Sequence, residues 1–276
     1  MKKKTPAYIV HHYFKQLDKY SVKMRKELKE DTIHLFRVDV KKLRAFLRMM
    51  RSGVTEPEQL KFSGQFKKMY SIAGNIRDRQ LFLERIKETG KTYPGGKIQT
   101  LKKEIKELGS KRDLFITKKD FGEMVRRIVK HLPVILPGTL VQDFVQQKQD
   151  IINGIIAGAD YKDKNLHNIR KGIKDIVYIS RIFTDDLKIR ASLPFRTKAE
   201  LVKAEDLAHS IGLFNDAGIA LSFLKLSEVR KANGKEKEHL RWLRNQWLAE
   251  KRKLKKDILQ GLPQINLSRG TAGKSN

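Results

Sequence analysis

An all-α fold is what this sequence predicts, on three observations. Apolar residues recur at helical spacing along almost the whole chain of 276 residues, and strand-type alternation is nearly absent. Glycines and prolines fall between the periodic stretches. Two motifs occur twice, in the same order and at similar separation, which argues for internal duplication of a helical unit.

Taken in order, the periodicity predicts helices at about 6–29, 31–52, 57–73, 77–89, 97–108, 118–131, 139–158, 164–187, 196–211, 215–231 and 235–258. Asp31 and Asp163 stand where N-caps are expected, and Gly53, Gly74 and Gly212 where helices are expected to stop. Tyr93-Pro94-Gly95-Gly96 reads as a turn. Pro133, Pro137 and Gly138 divide a single domain of about 5–258 into halves of about 5–132 and 139–258. Residues 260–276 lack periodicity and read as a flexible tail.

The repeat is carried by particular residues. Ile33-His34-Leu35-Phe36-Arg37-Val38-Asp39-Val40-Lys41 aligns with Leu166-His167-Asn168-Ile169-Arg170-Lys171-Gly172-Ile173-Lys174. Arg48 matches Arg181 at the same offset. Further on, Ala73-Gly74-Asn75-Ile76-Arg77-Asp78 resembles Ile211-Gly212-Leu213-Phe214-Asn215-Asp216.

Charge narrows the function. Lys and Arg total 60 against 31 Asp and Glu, a net charge of +29. Such an excess attracts nucleic acid, an anionic surface or a phosphate polymer. There is no cysteine, which excludes disulfides and thiolate metal sites. No apolar run approaches the roughly 20 residues of a membrane span, so no membrane insertion is expected. Met1-Lys2-Lys3-Lys4 resembles a signal n-region, but His11-His12 follow too soon for an apolar h-region, and a cytoplasmic location is expected.

The excess charge is patterned. His34, Arg37, Lys41, Arg44, Arg48 and Arg51 follow at spacings of 3, 4, 3, 4 and 3, along one side of a helix. Ile33, Phe36, Val40, Leu43, Leu47 and Met50 form an apolar seam beside them. His167, Arg170, Lys174, Tyr178 and Arg181 repeat the stripe, with Leu166, Ile169, Ile173, Ile176 and Phe183 as the seam. Val177 stands where the first half has Arg44, so the second stripe is thinner. Solvated faces usually mix signs, because opposite charges at i,i+4 support a helix. Here the stripes contain no acid, which points to a bound anion. Arg grips phosphate oxygens bidentately and Lys adds a compact charge. Residues 34 to 51 span about 25 Å at about 1.5 Å per residue, a length that suits a chain of phosphates. Neighbouring cations disfavour the charged form of the histidines and a polyanion restores it, so binding is expected to strengthen as pH falls from about 8 to 6.

These residues resemble the CHAD family, the conserved histidine α-helical domain. The matching pieces are His34-x-x-Arg37-x-x-x-Lys41-Lys42-Leu43-Arg44, Gly74-Asn75-Ile76-Arg77-Asp78, His167-x-x-Arg170-Lys171-x-x-Lys174 with Tyr178, and Gly212-Leu213-Phe214-Asn215-Asp216. The resemblance implies two pseudo-symmetric antiparallel helical bundles with a basic central groove. It also implies inorganic polyphosphate as the ligand and an association with polyphosphate granules. The residues themselves point only to a polyanion. Departures are Ala73 and Ile211, each in place of the usual Leu, and Val177 in place of a common Arg.

Around the stripes, Arg77 can reach the ligand, although its counterpart is Asn215. Asp78 and Asp216 are expected to cap or open helices, or else to hold stripe cations in position. Lys198 and Lys203, near Arg196, are candidates to lengthen the groove. Trp242 and Trp247 are expected to pack the last helix, and the basic residues of 251–256 to be solvated. Gly95-Gly96-Lys97 lacks the full Walker arrangement, His11 and His12 share no helix face, and no metal-ligand spacing is present. Asp39, Asp175, Asp78 and Asp216 make no convincing metal set. The expectation is therefore a binding protein with no cofactor, no metal and no catalytic residues. An RNA-binding module and a polyphosphate- or nucleotide-processing enzyme are the alternatives.

Overall fold

The computed structural model describes residues 5–89, 96–111, 116–183, 193–195, 197–232 and 234–264. Among these residues the secondary structure is helical throughout: α1 (Pro6–Lys26), α2 (Glu30–Arg51), a 3-10 turn (Pro57–Leu60), α3 (Gly64–Glu88), α4 (Lys97–Gly109), α5 (Lys118–Lys130), α6 (Gly138–Ala157), α7 (Asp163–Ile182), α8 (Lys198–Phe223), α9 (Leu226–Lys231) and α10 (Gly234–Gly261). The helix starts have local causes. Thr5, Ser63, Thr117 and Thr197 each accept from a backbone N–H of the first turn. Asp120 and Glu200 return the bond to complete capping boxes.

Several predicted boundaries are corrected. Gly74 and Gly212 do not stop helices; α3 and α8 run straight through them. The helix predicted from residue 57 is a single 3-10 turn, and α3 begins at Gly64. Asp31 and Asp163 lie in first turns, behind Lys29 and Lys162 at the N-cap positions. The helix predicted to end at 258 continues to Gly261. The turn at 93–95, the end of the helix predicted to 187, Arg196 and the tail from 265 onward lie outside the described residues.

Packing repeats between the halves. α1 packs on α2 and α6 on α7; α2 packs on α3 and α7 on α8. The halves meet through α2 against α7 and α3 against α8. Both predicted seams are buried: Ile33, Phe36, Val40 and Leu43 on α2, and Leu166, Ile169, Ile173 and Ile176 on α7. They belong to one apolar cluster containing residues of both halves, so the Pro133–Gly138 boundary does not separate two cores. Phe46 of α2 meets Phe183 across that join, ring centroids 6.3 Å apart. A smaller cluster packs Phe82 of α3 on Trp247 of α10. Trp242, by contrast, stays partly exposed beside His239 rather than packing inward.

Replacing Phe46 with Ala removes a fully buried ring from this join and is expected to cost about 3–5 kcal/mol in chemical denaturation. Replacing the exposed Leu35 with Ala is expected to change stability by no more than about 0.5 kcal/mol. Equal losses at the two positions would show that the α2–α7 join contributes little to stability.

Candidate functional site

The seams fix where the stripes lie. With one side of α2 and α7 buried, His34 is exposed and Arg37, Lys41, Arg44, Arg48 and Arg51 are half-buried, as are His167, Arg170, Lys174 and Tyr178. Arg181 and Lys171 are exposed.

Arg37 and Arg170 are held in the same way. Arg37 lies across α3 at Gly74, where a Cβ would come within 2.3 Å of its Nη1. Arg170 lies across α8 at Gly212, where a Cβ would be 3.2 Å from its Nη2. Each guanidinium donates to the carbonyl four residues before its glycine, Arg37 Nη1 to Tyr70 at 3.4 Å and Arg170 Nε to Ala208 at 3.1 Å. The glycines are notches that admit an arginine to a neighbouring helix. That explains why each appears with an arginine in the repeat, and why reading them as stops failed.

Packing of α2 on α7 sets the two stripes beside each other, and their charges act on one another. The Lys41 ammonium is brought down to about 8, first by burial and then by Arg37, Arg170 and Lys174; Asp216 opposes the shift. Lys174 is lowered by burial and by Arg170. His34 is lowered by burial, then by Arg77 and Lys41. His167 is lowered by burial, then by Lys171 and Arg170. Asn215 faces His167, its Nδ2 3.3 Å from Nδ1. Positions 77 and 215 thus stand beside the histidine of each half, one as a cation and the other as an amide.

Asp78 and Asp216 are mid-helix residues of α3 and α8, so the cap and helix-opening reading is corrected. Burial raises both carboxyls. Arg37 pulls Asp78 back down while Asp216 pushes it up, and Arg170 and Lys41 pull Asp216 down. They are acids whose charge acts on the cluster cations.

Other predicted cations already have acidic partners. Arg77 pairs with Glu30 at 3.1 Å and Glu84 at 3.9 Å, which ties it to the rim. Arg48 donates to Asp175 on α7 at 2.5 Å, with Lys148 of α6 3.8 Å from the same carboxylate. Burial raises the Asp175 carboxyl despite these partners. Arg181 pairs with Glu205 at 2.5 Å. Lys198 and Lys203 are exposed on α8, and among the described residues no interaction links them to the cluster. Lys251, expected to be solvated, pairs with Asp163 at 2.6 Å and lies over the Phe214 ring.

Sequence reasoning missed Tyr70, Lys61 and Lys67. Arg44 stacks 4.4 Å from the Tyr70 ring centroid and 5.8 Å from that of Phe62. In the second half the same two positions are Val177 and Ala208, both buried, so cation and ring are lost together. Lys61 and Lys67 join Arg44, Arg48 and Arg51 around a recess of about 260 Å³. Arg127 holds that wall by donating to the Gln59 and Lys61 carbonyls, both at 2.6 Å. The signal that could have found Tyr70 is its place four residues before Gly74. Among the described residues no group of acids and histidines is arranged to hold a metal.

The lowered Lys41 carries a stability consequence. The unfolded chain keeps this proton up to its ordinary 10.5, whereas the folded chain releases it near 8. Folding therefore gains stability from this group as pH rises from about 8 to 10.5, and the charged side chain costs stability below that window. Lys41→Met is expected to stabilise the ligand-free protein by about 1–2 kcal/mol at pH 7, allowing for solvent screening. It is also expected to flatten the rise in stability between pH 8 and 10. Urea unfolding across that range checks both; a destabilised variant would mean that Lys41 is not crowded.

The CHAD domain family model matches residues 8–225. The crystal structure of the CHAD domain from the plant Ricinus communis has the same fold, with a TM-score of 0.67 over 93% of this chain and 90% of that chain at 15% identity. No curated protein matches the chain in sequence. The family model spans most of the chain and the fold agrees along nearly all of it, so the protein belongs to the CHAD domain family.

Proposed function

We propose that this protein binds inorganic polyphosphate along the α2 and α7 stripes and does not turn it over. The observation that carries the reading is that Arg37, Arg170 and Lys174 all act on the Lys41 ammonium, which burial first and these cations next bring down to about 8. Like charges held this close by two buried seams cost the ligand-free fold stability, and a polyanion would recover that cost. Family membership supports a phosphate polymer over other polyanions. Asp78 and Asp216 then act as orienting counter-charges to the cluster, and the recess at Arg51 and Lys67, where Lys61 pairs with Glu58 at 2.5 Å, extends the cationic surface beyond the first stripe. The reading places the protein in the cytoplasm at polyphosphate granules.

Replacing Arg37, Lys41, Arg170 and Lys174 together with Ala is expected to weaken polyphosphate binding by at least about 100-fold in a titration. Replacing the exposed Arg252, Lys253 and Lys256 is expected to weaken it less than about fivefold. Equal losses would indicate diffuse attraction to the whole basic surface. RNA competing at equal phosphate concentration would redirect the reading to nucleic acid. Phosphate release over many turnovers, abolished by Arg37→Ala, would make the protein an enzyme.

The histidines set a pH dependence. Both are held below their ordinary value in the free protein, and a bound polyanion favours their charged forms. Binding takes up protons on this account, and affinity is expected to rise as pH falls from about 8 to 6. In the His34→Ala, His167→Ala double variant the slope should flatten. An unchanged slope would assign the dependence to Lys41 or to the ligand.

A further inference from the structure

The connection between α5 and α6 carries an apolar tip that the polyphosphate reading does not use. Val134 and Ile135 are 83% and 79% exposed, adjacent, and bracketed by Pro133 and Pro137. Leu132 and Leu136 on either side pack against the core, so the segment is anchored at both ends and turns only these two side chains outward. Proline fixes φ and removes a donor, which keeps such a bracketed segment from joining either helix.

The surroundings of the tip are cationic. Arg126 and Lys130, one helical turn apart, are exposed on the last two turns of α5. The α6 N-terminus beside the tip has no side-chain cap and no acid in its first turn, so its positive end is uncompensated. Asp143, exposed in the second turn of α6, is an acid on this side, and two further acids of this end face basic neighbours. Glu56 lies 3.6 Å from His131, and Glu123 lies 4.0 Å from Lys119.

We propose that this tip docks the protein on an anionic lipid surface. Val134 and Ile135 enter the interface between headgroup and acyl chain, while Arg126, Lys130 and the α6 N-terminus meet lipid phosphates. Such contact is peripheral and needs no spanning helix. A second copy of this chain fits the tip poorly. Two side chains fall far short of the roughly 800 Å² per partner of a stable interface, and two chains of +29 repel. A lipid surface satisfies both features of the tip, because it offers negative charge above an apolar layer.

The test must separate insertion from attraction of a basic protein to any anion. The full-length chain is sedimented with phosphatidylcholine vesicles containing roughly 30% phosphatidylserine at about 150 mM salt. The Val134→Ser, Ile135→Ser variant keeps every charge and is expected to partition at least about tenfold more weakly. Unchanged partitioning would overturn the proposal in favour of adsorption by charge alone. Because the sequence holds no cysteine, Ile135→Cys gives a single attachment point for an environment-sensitive fluorophore. Its emission is expected to shift to the blue on adding these vesicles and not on adding polyphosphate. No shift with vesicles, or a shift that follows protein concentration without them, would overturn lipid docking; the latter would identify self-association.

Discussion

Repulsion among Arg37, Lys41, Arg170 and Lys174 is the constraint the rest of the structure has to meet. These groups gain nothing from one another, so something else must hold them in place. The apolar seams do this. Each cation stands next to a buried residue on its own helix, and turning it away would expose Phe36, Val40, Ile169 or Ile173 to water. The join between α2 and α7, with Phe46 against Phe183, brings the two faces to a common line. The arginines are further tied to Tyr70 and Ala208 carbonyls across Gly74 and Gly212. The cluster is thus prearranged before any anion arrives, which reduces the ordering cost of binding.

Much of this was legible in the sequence. Helical class, both seams and both stripes follow from the spacing of residue types, because period 3.6 fixes which side chains share a face. What periodicity cannot give is a partner on another helix. Gly74 and Gly212 looked like stops because glycine is a poor helix former. Their reason for being there lies in Arg37 and Arg170, more than thirty residues away in the chain. The same limit hid the engagement of Arg48 by Asp175, of Arg77 by Glu30, and of Lys251 by Asp163. A sequence shows that a cation is present on a face, but not whether an acid of another element already neutralises it.

The two halves are not equivalent. Arg44 stacks on Tyr70 in the first, whereas the matched positions in the second are Val177 and Ala208, both buried and apolar. Arg77 and Asn215 also differ, cation against amide, although Glu30 and Glu84 already match Arg77. Positive charge is therefore concentrated toward α2 and the recess beside Arg51, and an extended anion would meet a graded surface rather than a symmetric one.

The internal ion pairs bear on thermodynamics in salt. A cation whose charge is already matched inside the protein neutralises no phosphate, so it displaces no counterion from an arriving polyanion. Arg48, Arg77 and Arg181 are in that position, held by Asp175, Glu30 and Glu205. The steepness with which affinity falls with ionic strength counts displaced small ions, not basic residues. It would therefore report the unmatched core of the stripes and undercount the arginines visible in the sequence.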